Sequence, residues 1–67
     1  MIILTVNGES RTVDDGTSIT NLLDVLSIEQ QRVAVAVNGE VVPRREHPET
    51  LLADGDQIEI VRMVGGG

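Results

Sequence analysis

The first six residues are apolar and rich in β-branched side chains, and they run directly into Asn7-Gly8. Asn-Gly supplies the two positive-φ positions of a type I′ hairpin turn at little steric cost, so a first strand over residues 1–6 and a second over about 10–13 are expected. Asp14-Asp15-Gly16 closes the pair with turn chemistry. From Thr17 or Ser18, either able to cap a helix, Ile19, Leu22, Leu23 and Leu26 fall at i, i+3, i+4 and i+7. That spacing puts all four on one helical face, and a helix with a single apolar stripe needs a sheet to bury it.

The run Val33-Ala34-Val35-Ala36-Val37 alternates large and small with period two and again meets Asn-Gly, at Asn38-Gly39, ahead of Val41-Val42. This is a second hairpin, ended by Pro43 because proline cannot donate to a ladder. Residues 44–50 read as polar and irregular, with room for a short helical turn, and Leu51-Leu52 returns to the core before the Asp54-Gly55-Asp56 turn. A last strand over 57–62 leads to Val64 and three glycines.

The predicted order is strand, strand, helix, strand, strand, strand. The class is α+β, with one helix packed on one face of a mixed four- or five-stranded sheet. Ile2, Leu4, Val6, Val13, Val33, Val35, Val37, Ile58 and Ile60 then point inward with the helix stripe. The opposite face carries Ile3, Thr5, Ala34, Ala36, Glu59, Val61 and Met63, more apolar than a solvated face requires. Ile3, Ala34, Ala36, Val61 and Met63 are the candidate partner-docking residues. The division is a folded domain over 1–63 and a flexible glycine tail over 64–67.

Sixty-seven residues make one domain, and so short a chain buries only about 60% of the surface it exposes when unfolded, which disfavours a deep catalytic cleft. Net charge is −6, with eleven acidic residues against five arginines. That balance argues against nucleic acid, whose phosphates need a basic face, and favours approach to a basic partner. The chain contains no Phe, Tyr or Trp for base stacking, and no cysteine or lysine. A missing ε-amine would spare an activated acyl group from self-acylation, although codon bias is the better account of it. With no apolar stretch near membrane-span length and no basic region ahead of a signal core, the expected setting is soluble and cytoplasmic, without membrane or nucleic-acid partners.

Glycine at three successive positions, Gly65-Gly66-Gly67, leaves a thin backbone free to adopt any φ. The four residues from Val64 to Gly67 reach about 13 to 14 Å from the domain, enough to thread a narrow channel and present a carboxylate. Turn composition rules out the calcium-loop pattern at Asp14-Asp15-Gly16 and Asp54-Gly55-Asp56, which lack the alternating ligands and closing glutamate. His47 has no Ser, Cys or ligand partner at a recognisable spacing, so neither a catalytic residue nor a metal site is assigned.

The two Asn-Gly-Glu hairpins, the Val33 to Val37 strand, the Val42-Pro43-Arg44 step, the Leu52-Ala53-Asp54-Gly55-Asp56 turn and the ending Ile58-Glu59-Ile60-Val61 through Val64-Gly65-Gly66-Gly67 together resemble the ThiS family. These are sulfur carriers of thiamine biosynthesis with a ubiquitin-like β-grasp fold. The resemblance implies a non-enzymatic carrier that is a co-substrate of partner enzymes. A ThiF-type adenylyltransferase, using ATP and Mg²⁺, would adenylate the Gly67 carboxylate. A sulfur donor, a cysteine desulfurase or similar, would convert the adenylate to a thiocarboxylate, and a ThiG-type thiazole synthase would take the sulfur. Val64, Gly65 and Gly66 would occupy the partner's channel, and no cofactor would be bound intrinsically. The alternatives are a MoaD-type small subunit of molybdopterin synthase, usually a longer protein, and a ubiquitin-like modifier of lysines. Where ThiS sequences often carry an aromatic after the Pro-Arg step, this chain has Arg45-Glu46-His47, which puts the packing of that aromatic in question.

If Gly66 passes through a narrow channel, a branched side chain there clashes with the partner while leaving the domain untouched. Gly66→Val is expected to keep the thermal midpoint of the parent and to lose most ATP-dependent adenylation. Deleting Gly67 is expected to be worse, because the carboxylate falls one residue, roughly 3.5 Å, short of the reacting phosphate. Adenylation of both variants at the parent rate would remove the glycines from the reaction.

Overall fold

Both Asn-Gly dipeptides form hairpin turns, with Asn7 at φ 50° and Gly8 at 84°, and Asn38 at 52° and Gly39 at 88°. A computed structural model describes residues 1–63. The first turn joins β1 (Ile2–Val6) to β2 (Glu9–Val13), and the second joins β3 (Val33–Val37) to β4 (Glu40–Val42). Helix α1 (Ile19–Val25) lies between the hairpins, and β5 (Gln57–Arg62) follows them. The five strands form one sheet in the order β2-β1-β5-β3-β4. β5 is therefore central, parallel to β1 and antiparallel to β3.

Ser18 rather than Thr17 caps the helix. Its hydroxyl oxygen accepts from the Asn21 amide at 3.1 Å, and the Asn21 side-chain oxygen accepts from the Ser18 amide at 3.4 Å. This reciprocal pair satisfies two of the donors that a helix start leaves unpaired. The helix buries Ile19, Leu22 and Leu23 against Leu4, Val6, Val33, Val35, Leu52 and Ile58, while Leu26 is half-buried at the edge of that core. Ser27, at φ 58°, turns the chain away after the helix.

Two features of the segment after β4 differ from the sequence reading. Leu52 is buried but Leu51 is 63% exposed. The Leu52 amide donates to the Thr17 carbonyl at 2.9 Å and the Ile19 amide to the Thr50 carbonyl at 3.1 Å, so this stretch is extended against the helix start, where neighbouring side chains face opposite ways. The second difference is His47, which is 1% exposed. It sits just after the short 3₁₀ turn Arg44–Glu46, and its Nε2–H donates to the Val42 carbonyl at 3.0 Å. A carbonyl can only accept, so Nε2 carries the proton, and Nδ1 has no partner among the described residues.

Asn7 has a second role besides its turn. Its Oδ1 accepts from the Ile60 amide at 2.8 Å and its Nδ2 donates to the Ile60 carbonyl at 3.1 Å, so the side chain continues the β1 ladder where the backbone turns away. Asn38 does likewise, accepting from the Gln57 amide at 3.0 Å. Asn7→Gly keeps the positive φ and removes both bonds to Ile60. It is expected to cost about 1 to 2 kcal/mol in urea denaturation and to speed amide exchange at Ile60. An unchanged urea midpoint would show that water replaces the side chain without loss.

Candidate functional site

The ladder between β3 and β5 runs one residue past the end of β5, where the Met63 amide donates to the Arg32 carbonyl at 2.8 Å. The chain thus leaves the sheet from a point bonded to its neighbour, at the end of the central strand. Val64, Gly65, Gly66 and Gly67 lie outside the described residues.

The register settles which residues share the sheet face away from the helix. Ala34 lies opposite Val61, and Ala36 lies between Glu59 on one side and Val41 on the other. Val61 is 60% exposed and Met63 56%. The short alanine side chains leave a low floor between Val61 and Val41, and a groove of about 200 Å³ opens beside them, lined by Ala34, Val41, Pro43, Arg44 and Met63, with His47 at its base. Val41 was missed in the sequence reading, which treated Val41-Val42 as one apolar pair. Counting back from the Asn38-Gly39 turn separates the two, because Val42 pairs with inward Val35 and Val41 with outward Ala36.

Ile3 shares this face but not this cluster. The Gly55 amide donates to the Ile3 carbonyl at 2.8 Å, so Ile3 is level with Gly55, six positions before Val61 on the central strand. At about 3.3 Å per residue that is roughly 20 Å. Thr5, Gln57 and Glu59 lie between. The structure therefore brings Ala34, Ala36, Val41, Val61 and Met63 together and leaves Ile3 apart.

Among the described residues there is no group of three or more His, Cys, Asp or Glu side chains placed to hold a metal ion, and none of the helices is long and apolar enough to cross a membrane. His47 has its proton-bearing nitrogen committed to a backbone carbonyl, which suits packing rather than proton transfer.

A mixed five-stranded sheet with a central last strand and one helix across one face is the ubiquitin-like β-grasp class. The model of the ThiS family matches residues 4–67, and the chain belongs to that family. It is 36% identical over 66 residues to the sulfur carrier protein ThiS of Bacillus subtilis, covering 97% of this chain and 100% of that one. It is 38% identical over 64 residues to a thiazole synthase of Paramagnetospirillum magneticum, where the match takes in 96% of this chain but spans 20% of the longer protein. The crystal structure of the thiamine biosynthesis protein ThiS from Geobacter metallireducens superposes with a TM-score of 0.85 at 40% identity, covering 98% of this chain and all of that one.

Val61→Asp places a charge on the exposed cluster without entering the core. Its stability in urea is expected to stay within about 0.5 kcal/mol of the parent, and capture by an adenylyltransferase of the ThiF type to weaken by about tenfold. Parent-like capture by the folded variant would remove this face from docking, and an unfolded variant would mean that the face packs against something within the domain.

Proposed function

We propose that the chain is a sulfur carrier of thiamine biosynthesis, whose Gly67 carboxylate is activated and loaded by partner enzymes. The observation that carries this reading is the family match, which runs from the first strand through residue 67 and so includes the glycine run as well as the domain. A thiazole synthase that contains a segment like this chain supports a ThiG-type enzyme as the sulfur acceptor. It also favours the thiazole pathway over the molybdopterin alternative.

The chemistry divides between carrier and partners. A backbone carboxylate has a pKa near 3.5, so at neutral pH it is ionised and a poor electrophile. Attack of its oxygen on the α-phosphorus of ATP forms an acyl-adenylate and releases pyrophosphate. Hydrosulfide released by the sulfur donor then adds at the carbonyl carbon, the bond to the phosphate oxygen breaks, AMP departs, and loss of the S–H proton leaves a thiocarboxylate. The adenylyltransferase supplies ATP, Mg²⁺ and the phosphate-binding groups. The carrier supplies a tail rooted at Met63 and a face by which it is recognised. In this reading the domain over 1–63 is the recognition body and 64–67 is the substrate.

Replacing one terminal oxygen by sulfur adds about 16 Da, and because the chain has no cysteine, a thiol-directed alkylating reagent has one nucleophilic sulfur to find. After incubation with the adenylyltransferase, ATP and a sulfur donor, intact-mass measurement is expected to show that gain, with the alkyl label on the last residue. A chain that stays at its starting mass while a known carrier is loaded alongside would overturn the reading.

A further inference from the structure

The sequence has a net charge of −6, but the strand directions distribute that charge unevenly. Where β1 begins, Asp15 contacts the Met1 amino group at 2.8 Å and Asp54 accepts from the Ile3 amide at 2.7 Å. The hydrogen bond to Asp15 and then its charge hold the Met1 amino group above its ordinary value, with Asp14 and Asp54 adding to the effect. That end of the domain is acidic.

The opposite end, where the chain leaves the sheet, holds four of the five arginines. Arg62 lies directly opposite Val33 on β5, and Arg32 receives the Met63 amide on its carbonyl. Arg44, in the 3₁₀ turn after β4, lines the same groove as Val33 and Met63. Arg32 is paired with Glu29 at 3.2 Å. Arg44, Arg45 and Arg62 pair with no carboxylate among the described residues. Glu46 and Glu49 share the loop with two of them. Arg62 lines a hollow with Arg32 and Glu29, whereas the hollow between Gln30, Gln31, Arg44, Arg45 and Pro48 is lined by no acidic side chain, and neither is the groove beside Met63.

We propose that this end of the domain docks an acidic segment of the protein that handles the tail, with carboxylates of that segment on Arg44, Arg45 and Arg62 and one of its apolar side chains in the groove between Ala34, Val41 and Met63. The proposal rests on the carrier reading and adds the chemistry of the partner. It reverses what net charge alone suggests, since an acidic chain as a whole favours a basic partner. Guanidinium groups bind carboxylates in a two-pronged geometry that fixes orientation as well as contact. An acidic mouth would attract the arginine end and repel the aspartate end, so the domain would arrive tail first.

The test compares charge reversals at the two edges of the sheet. Arg44→Glu and Arg62→Glu alter the tail end, while Arg11→Glu makes the same change in net charge on the far edge strand, where Arg11 has only a long, exposed contact to Glu9 at 3.9 Å. Adenylation by a ThiF-type enzyme is followed by pyrophosphate exchange with carrier and ATP varied separately. Arg44→Glu and Arg62→Glu are each expected to raise KM for the carrier about tenfold at low salt, with kcat and KM for ATP unchanged, and the gap should narrow as salt screens the pairs. Arg11→Glu is expected to behave as the parent.

An equal rise in KM with Arg11→Glu would reduce the effect to overall charge and overturn the proposal. A rise in KM for ATP instead would place the arginines on the nucleotide phosphates, which also overturns it. Parent-like kinetics for both tail-end variants would remove the docking surface and leave the carrier reading standing. Failure of the parent chain itself to be adenylated would overturn that reading and the proposal with it.

Discussion

The parallel contact between β1 and β5 is the narrowest join in the sheet, and the rest of the structure depends on it. Its backbone register covers two pairs, Thr5 with Gln57 and Val6 with Ile58. The amides of Thr5 and Asn7 donate across it at 3.0 and 2.9 Å, and the Asn7 side chain extends it to Ile60. Without this join the sheet separates into the β1–β2 hairpin and a three-stranded piece of β5, β3 and β4, and an isolated hairpin is marginal in water. With it, the central strand is bonded on both sides, and Ile58, 1% exposed, reaches the helix stripe. The origin of the tail is fixed by the same bonds that hold the domain together.

Much of the architecture was legible in the sequence because local chemistry and long-range packing agree. Asn7-Gly8 and Asn38-Gly39 require positive φ, and flanking strands with period-two alternation leave little choice but hairpins. Ile19, Leu22 and Leu23 declare one helical face, and they are the residues buried. The strand order was not legible, since nothing local in 57–62 tells β5 that its neighbours are β1 and β3. Ile3 shows the consequence: alternation assigned its face correctly, but only the register with β5 reveals that it lies far from Val61 and Met63.

His47 and the arginines mark a different limit. A histidine in a polar stretch reads as solvated, and nothing in Arg45-Glu46-His47-Pro48 marks the ring as buried. Its burial comes from the turn after Pro43, which brings the ring beneath β4 and within reach of the Val42 carbonyl. Likewise Arg32 and Arg62 are distant in sequence and line one hollow only because β3 and β5 run antiparallel. Composition reports a sum of charges, whereas recognition depends on how they are arranged.

The join between β1 and β5 also has a kinetic consequence. The Asn7 bonds to Ile60 span 53 positions, so most of the chain must be ordered before its central strand is in place, and such distant pairings close slowly. During synthesis the first hairpin and the helix emerge with Leu4, Val6, Leu22 and Leu23 lacking their partner strand. Folding of so small a domain is then all-or-none. In a partly assembled chain Met63 lacks its bond to Arg32, so the end of the central strand takes its place only in a finished domain.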